Sequence, residues 1–137
     1  MTLFLLAHIA GRGVAIDSAE VDSVIDIGAI VPVPRAADAV LGVAALRSRV
    51  VTVVDTWRVL GVEAPPAPPR AIVTRVDGHD YAVLFDSVED VATLDASPIP
   101  SGLALEGAWA RAARGVVDVG GEPMLVIGLD ALIPVHA

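Results

Sequence analysis

The chain has 137 residues, a mass of 14.0 kDa and a formal net charge of −8 with a sequence pI near 4.6. That length suits one domain of ordinary size, with enough core to fold without disulfides or metals. Hydrophobic residues make up 55% of the sequence and mean hydropathy is +0.70, which excludes a disordered chain. There is no Cys, so thiolate chemistry and Cys-based zinc sites are excluded. Lys is absent too; all nine basic residues are Arg, and a balance of −8 disfavours binding to nucleic-acid phosphates. No apolar run approaches the length of a membrane helix, which argues against direct membrane insertion.

The first ten residues, from Met1 to Ala10, lack a basic segment and read as a strand rather than a signal peptide. Short Val/Ile-rich runs then recur between turn residues, an all-β pattern. Strands are expected at Leu3–Ile9, Arg12–Ile16, Val50–Val54, Ala71–Val76, Asp80–Phe85, Val116–Val119 and Met124–Ile127, with a bent strand-like stretch at Val21–Ile30. Gly11-Arg12-Gly13, Asp77-Gly78 and Gly120-Gly121 supply hairpin turns. Short helices are expected at Asp38–Leu46, with Asp38 as N-cap, and at the Ala-rich Leu105–Arg114. Asp55–Leu60 and Leu129–Ile133 read as single turns after strands. The Pro-rich stretch around residues 62–70, with Ala64-Pro65-Pro66-Ala67-Pro68-Pro69 at its centre, is a stiff connector. A ligand for an SH3-type domain is its alternative reading.

The sequence also repeats weakly. A shift of 73 places Gly42, Val43, Val51, Val53 and Val54 on Gly115, Val116, Met124, Val126 and Ile127; a shift of 67 places Gly11, Val14, Ile16, Val21 and Val24 on Gly78, Tyr81, Val83, Val88 and Val91. Two similar small β units follow, suited to closed barrels that leave few exposed edges. Charge is divided unevenly between them. Residues 1–62 hold six acids against five Arg, and residues 63–137 hold eleven acids against four. The surplus keeps an apolar chain soluble or steers a basic partner.

Nothing in the sequence assembles a catalytic group. His8, His79 and His136 have no metal-ligand spacing, and Gly11-Arg12-Gly13 lacks the third glycine and the following helix of a dinucleotide fingerprint. Asp86, Glu89 and Asp90 form an acidic cluster, the only support for a small β-barrel enzyme or ligand carrier; a solvated face explains it more simply. No cofactor and no metal is expected. The densest stretch is Leu46–Gly61, where Arg47, Arg49, Arg58, Asp55 and Trp57 surround an alternating apolar strand. An Arg47–Asp55 ion pair clamping that strand, or an Arg47 or Arg49 facing a partner, are both compatible with it.

In their order and spacing these stretches resemble the CheW family, the adaptor domains of bacterial chemotaxis. The likeness rests on Val24-Ile25-Asp26-Ile27, on Pro32-Val33-Pro34, on Gly42-Val43-Ala44-Ala45-Leu46-Arg47-Ser48 followed by Val50, Val53, Val54, Asp55, Arg58, Leu60 and Gly61, and on the second hairpin through Asp86-Ser87-Val88. The resemblance covers nearly the whole chain and implies one CheW-like domain of two five-stranded SH3-like barrels packed side by side. It implies a non-catalytic cytoplasmic scaffold that couples the tips of chemoreceptors to the regulatory domain of a CheA-type histidine kinase. Carried over by position, Val24, Asp26, Gly42, Val43, Leu46 and Arg47 form the receptor-facing region, with Arg47 close enough to pair with Asp26. Arg47, Asp55 and Arg58 are the candidates for structural or interface ion pairs. The chain departs from the family pattern at Ala45, which stands where an Asn is usual, at Ser48 for Gly, at Asp26 for Glu and at Gly128 for Asp. The altered loop at Ala45 and Ser48 motivates an alternative: a CheW-like interaction module in a motility or developmental pathway outside chemotaxis.

Overall fold

A computed structural model describes residues 1–134. The described residues form ten strands, two short helices and two 3-10 turns. In order these are β1 (Thr2–Ile9), β2 (Arg12–Asp17), a 3-10 turn (Ser18–Glu20), β3 (Ser23–Ile25), β4 (Val40–Leu46), β5 (Arg49–Val54), α1 (Thr56–Leu60), β6 (Arg70–Val76), β7 (His79–Phe85), β8 (Ser87–Leu94), α2 (Gly107–Ala112), β9 (Ala113–Val119), β10 (Glu122–Ile127) and a second 3-10 turn (Leu129–Leu132). They build two five-stranded sheets, one in the order β8-β1-β2-β10-β9 and the other in the order β3-β6-β7-β5-β4. We call them sheets A and B.

Four hairpins organise the sheets, and three turn on residue pairs with positive φ at both positions: Ala10-Gly11, Asp77-Gly78 and Gly120-Gly121. That geometry matches the twist of the flanking strands. The first turn falls one residue earlier than the sequence suggests, with Arg12 and Gly13 already in β2. The fourth, between β4 and β5, has positive φ at Arg47 (55°) but not at Ser48.

Two expected elements are corrected. Asp38–Leu46 is not a helix. β4 fills Val40–Leu46, buries Gly42 and Ala44 on alternate positions, and leaves Asp38 outside any cap. Gly42 has φ 148° and a Cβ there would lie 2.2 Å from the carbonyl oxygen of Val31, so the backbone of the preceding loop occupies the space a side chain needs. The Ala-rich segment Leu105–Arg114 is helical only over Gly107–Ala112, after which Ala113 and Arg114 enter β9. The bent stretch Val21–Ile30 contains only the three-residue β3, and β8 forms where the sequence showed an acidic cluster.

The internal repeat is present in the pairing register. β5 runs parallel to β7 with Thr52 opposite Tyr81, and β10 runs parallel to β2 with Leu125 opposite Val14, the same pair under the two shifts. The bulge between Val40 and Gly42 in the β4–β5 ladder recurs between Ala113 and Gly115 in the β9–β10 ladder. Val31 exchanges two backbone hydrogen bonds with Val43 (2.8 and 2.9 Å), and Ser97 does the same with Val116 (both 2.8 Å). Each sheet therefore curls until the chain leaving one edge strand touches the other edge at a single bridge.

The sheets and the sequence halves do not coincide. Hairpin β1–β2 of the first half completes sheet A with β8, β9 and β10; hairpin β6–β7 of the second half completes sheet B with β3, β4 and β5. The alternating positions of sheet A sort into two clusters. Phe4, Ala15, Val117 and Val126 form a core of their own, while Leu5, Ala7, Ile9, Val14, Ile16, Leu125 and Ile127 join the buried residues of sheet B. Central strands are thus buried on both faces, which is why they read as continuous Val/Ile runs. Burial at about 25 cal/mol per Å² of apolar surface makes that shared core the main cohesion between the sheets.

Candidate functional site

α1 follows β5 because Asp55 caps it: its carboxylate accepts from the backbone N–H of Arg58 at 3.1 Å, and Gly61 ends the helix at φ 76°. Asp55 is therefore held at its own helix, not paired with Arg47. Arg58 reaches the opposite way and donates from Nε and Nη2 to Asp38 (2.7 and 2.6 Å), tying the loop before β4 to α1.

Asp26 lies just past β3, its side chain 84% exposed, and its partner is Arg70 at the start of β6, 2.8 Å away. The expected pairing with Arg47 is not formed. Among the described residues no ion pair includes Arg47, which is exposed at the β4–β5 turn. Arg49, on the far side of that turn, pairs with Asp22 and lies 3.5 Å from Asp80. The hydrogen bond from Arg49 holds the Asp22 carboxyl below its ordinary range and raises the guanidinium in turn.

Of the six positions assigned to a receptor-facing region, Leu46 and Arg47 share a pocket of about 190 Å³ with Asp22, Ser23, Ile25 and Arg49. This pocket joins β3 to the β4–β5 turn, the two edges of sheet B. Val24 is half-buried, opposite Ile72 on β6, and packs on the shared core. Gly42 and Val43 sit at the bridge to Val31, beside the exposed Val31, Val33 and Leu41. Only Asp26 and Arg47 among the six are exposed.

Two contacts that the sequence did not announce fix the crossings between sheets. Asp86, between β7 and β8, accepts from the Trp57 indole at 2.7 Å and from Gly11 N–H at 3.3 Å. Glu20, between β2 and β3, accepts from Leu129 N–H at 2.8 Å. That bond supplies the cap the second 3-10 turn lacks, because Gly128 stands where Asp55 stands in the first half. A Cβ at Gly128 would come within 2.8 Å of both Arg114 and Asp130, themselves paired at 3.2 Å. Burial pushes the Glu20 carboxyl up from its ordinary value, assisted by Asp130 and Asp17 and opposed by the Leu129 hydrogen bond. The repeat was the one available signal, since its two shifts carry Asp86 and Trp57 to within one residue of Glu20 and Leu129.

The acidic cluster comes apart in three directions. Asp86 is bound as above, Glu89 contacts His8, and Asp90 accepts from Val91 N–H. Of the three, Asp86 alone lines a described pocket, about 270 Å³ beside Trp57 and Glu63, and both its oxygens are already acceptors. No group of three His, Asp or Glu suited to a metal occurs among the described residues, and His136 lies outside them. No helix among them is long and apolar enough to cross a membrane.

Two curled sheets with an internal repeat, hairpins exchanged between them and a pocket at a sheet edge make up the architecture of the domain. A family model for the CheW-like domain matches residues 3–136, and the chain belongs to that family. It is 33% identical over 109 residues to a chemotaxis protein CheW of Rhizobium meliloti (strain 1021), covering 75% of this chain and 68% of that one. The fold is similar to the crystal structure of the scaffolding protein TtCheW from Thermoanaerobacter tengcongensis, with a TM-score of 0.83 at 18% identity over 98% of this chain and 89% of that one.

Proposed function

We propose that this chain is a non-catalytic, cytoplasmic adaptor that couples the tip of a chemoreceptor to the regulatory domain of a CheA-type histidine kinase. Membership of the CheW-like family supports the adaptor class. The observation that carries the finer reading is the pocket shared by Leu46, Arg47 and Ile25, where two sheet edges present apolar side chains beside an unpaired guanidinium. Such a rim suits an apolar helix surface carrying an acidic or carbonyl acceptor for Arg47. The receptor-facing set is Val24, Asp26, Gly42, Val43, Leu46 and Arg47, in which Gly42 and Val43 shape β4 and Asp26 and Arg47 supply exposed charge. A net charge of −8, with most of it in the second half, disfavours nucleic acid as the partner.

Calorimetric titration with the regulatory domain of a chemotaxis-type kinase from the same genome tests the reading. Saturable one-to-one binding is expected; absence of heat from the folded protein sinks it. Ser48 in place of a turn glycine, next to Arg47 in a strained backbone conformation, favours one second reading, a module retuned for a signalling system outside chemotaxis. That reading expects kinase binding without binding to chemoreceptor tips.

A further inference from the structure

Neither half of the chain owns a sheet. Residues 1–62 supply β1, β2, β3, β4 and β5, and the rest supplies β6 to β10, yet each sheet mixes a hairpin from one half with three strands from the other. Without β6 and β7, β3 has no ladder partner and β5 loses its parallel neighbour; without β1 and β2, the same happens to β8 and β10. The polar contacts follow the same division. Glu20–Leu129, Trp57–Asp86, Arg49–Asp80, Asp26–Arg70 and the Arg12 guanidinium 4.6 Å above the Trp109 ring all run from one half to the other. The covalent link between the halves is the stretch from Gly61 to Pro69, mostly exposed and free of helix or strand.

We propose that the two halves are mutually completing parts, and that a second copy of this chain can supply the half that completes the first. In the exchanged dimer, residues 1–62 of one copy fold with residues 63–137 of the other. Every ladder and core contact of the monomer is kept, and only the connector changes path, so the two forms differ by connector strain and association entropy alone. The slot between β3 and β5 is the interaction surface and hairpin β6–β7 is its occupant. One consequence reaches the candidate site: Asp26 and Arg70 then come from different copies. The inference does not depend on what the domain binds.

Complementation between full-length chains tests it. Val53 and Val126 are equivalent buried positions, one in each half. Val53→Asp and Val126→Asp chains, refolded separately, are expected to lose native β-sheet signal. Refolded together, the intact first half of one and the intact second half of the other form one native body per pair. Up to half the wild-type signal should return, in a species of twice the monomer mass. Recovery no greater than that of the separate chains would overturn the proposal. Should either variant fold alone, a wild-type chain with a protease site inserted between Pro66 and Ala67 decides the matter. Nicked after folding, its two fragments should co-elute in equal amounts and melt at a temperature that falls on dilution. Fragments that separate or unfold on nicking contradict it.

Discussion

Arg47 holds a left-handed backbone angle of 55° at a two-residue turn, a conformation that costs a non-glycine residue about 1 kcal/mol, and its side chain has no ion-pair partner among the described residues. Arg47→Ala is therefore expected to leave thermal stability within about 0.5 kcal/mol of wild type, and Arg47→Gly to raise it slightly, while both weaken receptor binding. A melting temperature that drops by several degrees in Arg47→Gly would restore a structural ion pair to Arg47. Glu20 behaves in the opposite sense. Its folded-state pKa is raised above the unfolded value of 4.5, so the native state binds the extra proton between those two values. Stability from this group is highest below pH 4.5 and declines as pH rises through the folded pKa, leaving a cost at neutral pH. Glu20→Gln keeps an acceptor for Leu129 N–H and removes that cost. Its melting temperature should equal or exceed wild type at pH 7, with the difference vanishing below pH 4.5. Glu20→Ala strands the Leu129 N–H and should melt lower at both. A Gln variant that melts below wild type at pH 7 would refute a desolvation cost at the half-buried Glu20 carboxyl. Asp22 contributes the other sign: with its pKa held down by Arg49, its stabilisation is present above pH 3.8 and lost as pH falls through the lower folded value.

Among the elements, the closing bridges are where sequence demands are strictest. A Cβ at Gly42 would meet the Val31 carbonyl at 2.2 Å, and one at Gly115 would meet that of Ser97 at 2.8 Å. Gly42→Ala combines this clash with a positive φ and is expected to destabilise by at least about 2 kcal/mol, read from the denaturation midpoint. Gly11→Ala, with open space around its Cβ, carries the backbone strain alone and should cost less. Equal losses at the two positions would show that the bridge does not matter. Seven strands were legible because their β-branched runs either alternate, as in Val50–Val54, or are buried on both faces, as in Ala71–Thr74. β4 was not, because Ala and Leu at Val40–Leu46 favour a helix locally, and the antiparallel ladder with β5 together with the bridge to Val31 overrides them. β8 was hidden by Glu89 and Asp90, which an edge strand carries in solvent without cost. Ala113 and Arg114 read as helix for the same Ala-rich reason, and pairing with β10 decides otherwise.

At the scale of the whole molecule, the repeat at shifts of 67 and 73 was visible in the sequence, and its glycines mark equivalent bridges. The exchange of hairpins between sheets was not visible, because local patterning carries no information about which of two similar units a hairpin joins. The candidate site divides in the same way. Leu46 and Arg47 share a pocket with a β3 neighbour of Val24, whereas the partner of Asp26 is Arg70, which lies 44 positions further along the chain and in the other half. Ion pairing is decided by register: past Ile25, opposite Ala71, Asp26 meets Arg70, whereas Arg49 beside the β4–β5 turn meets Asp22 at the other end of β3. An adaptor holds two partners together, so both are measured at once. The regulatory domain of the kinase is sedimented with membranes bearing the chemoreceptor, with and without this chain. The adaptor reading predicts that the kinase domain pellets only when the chain is added, and that Arg47→Ala reduces the pelleted fraction without unfolding the protein. Kinase recovery that is independent of the chain, with the chain itself left in the supernatant, would contradict it.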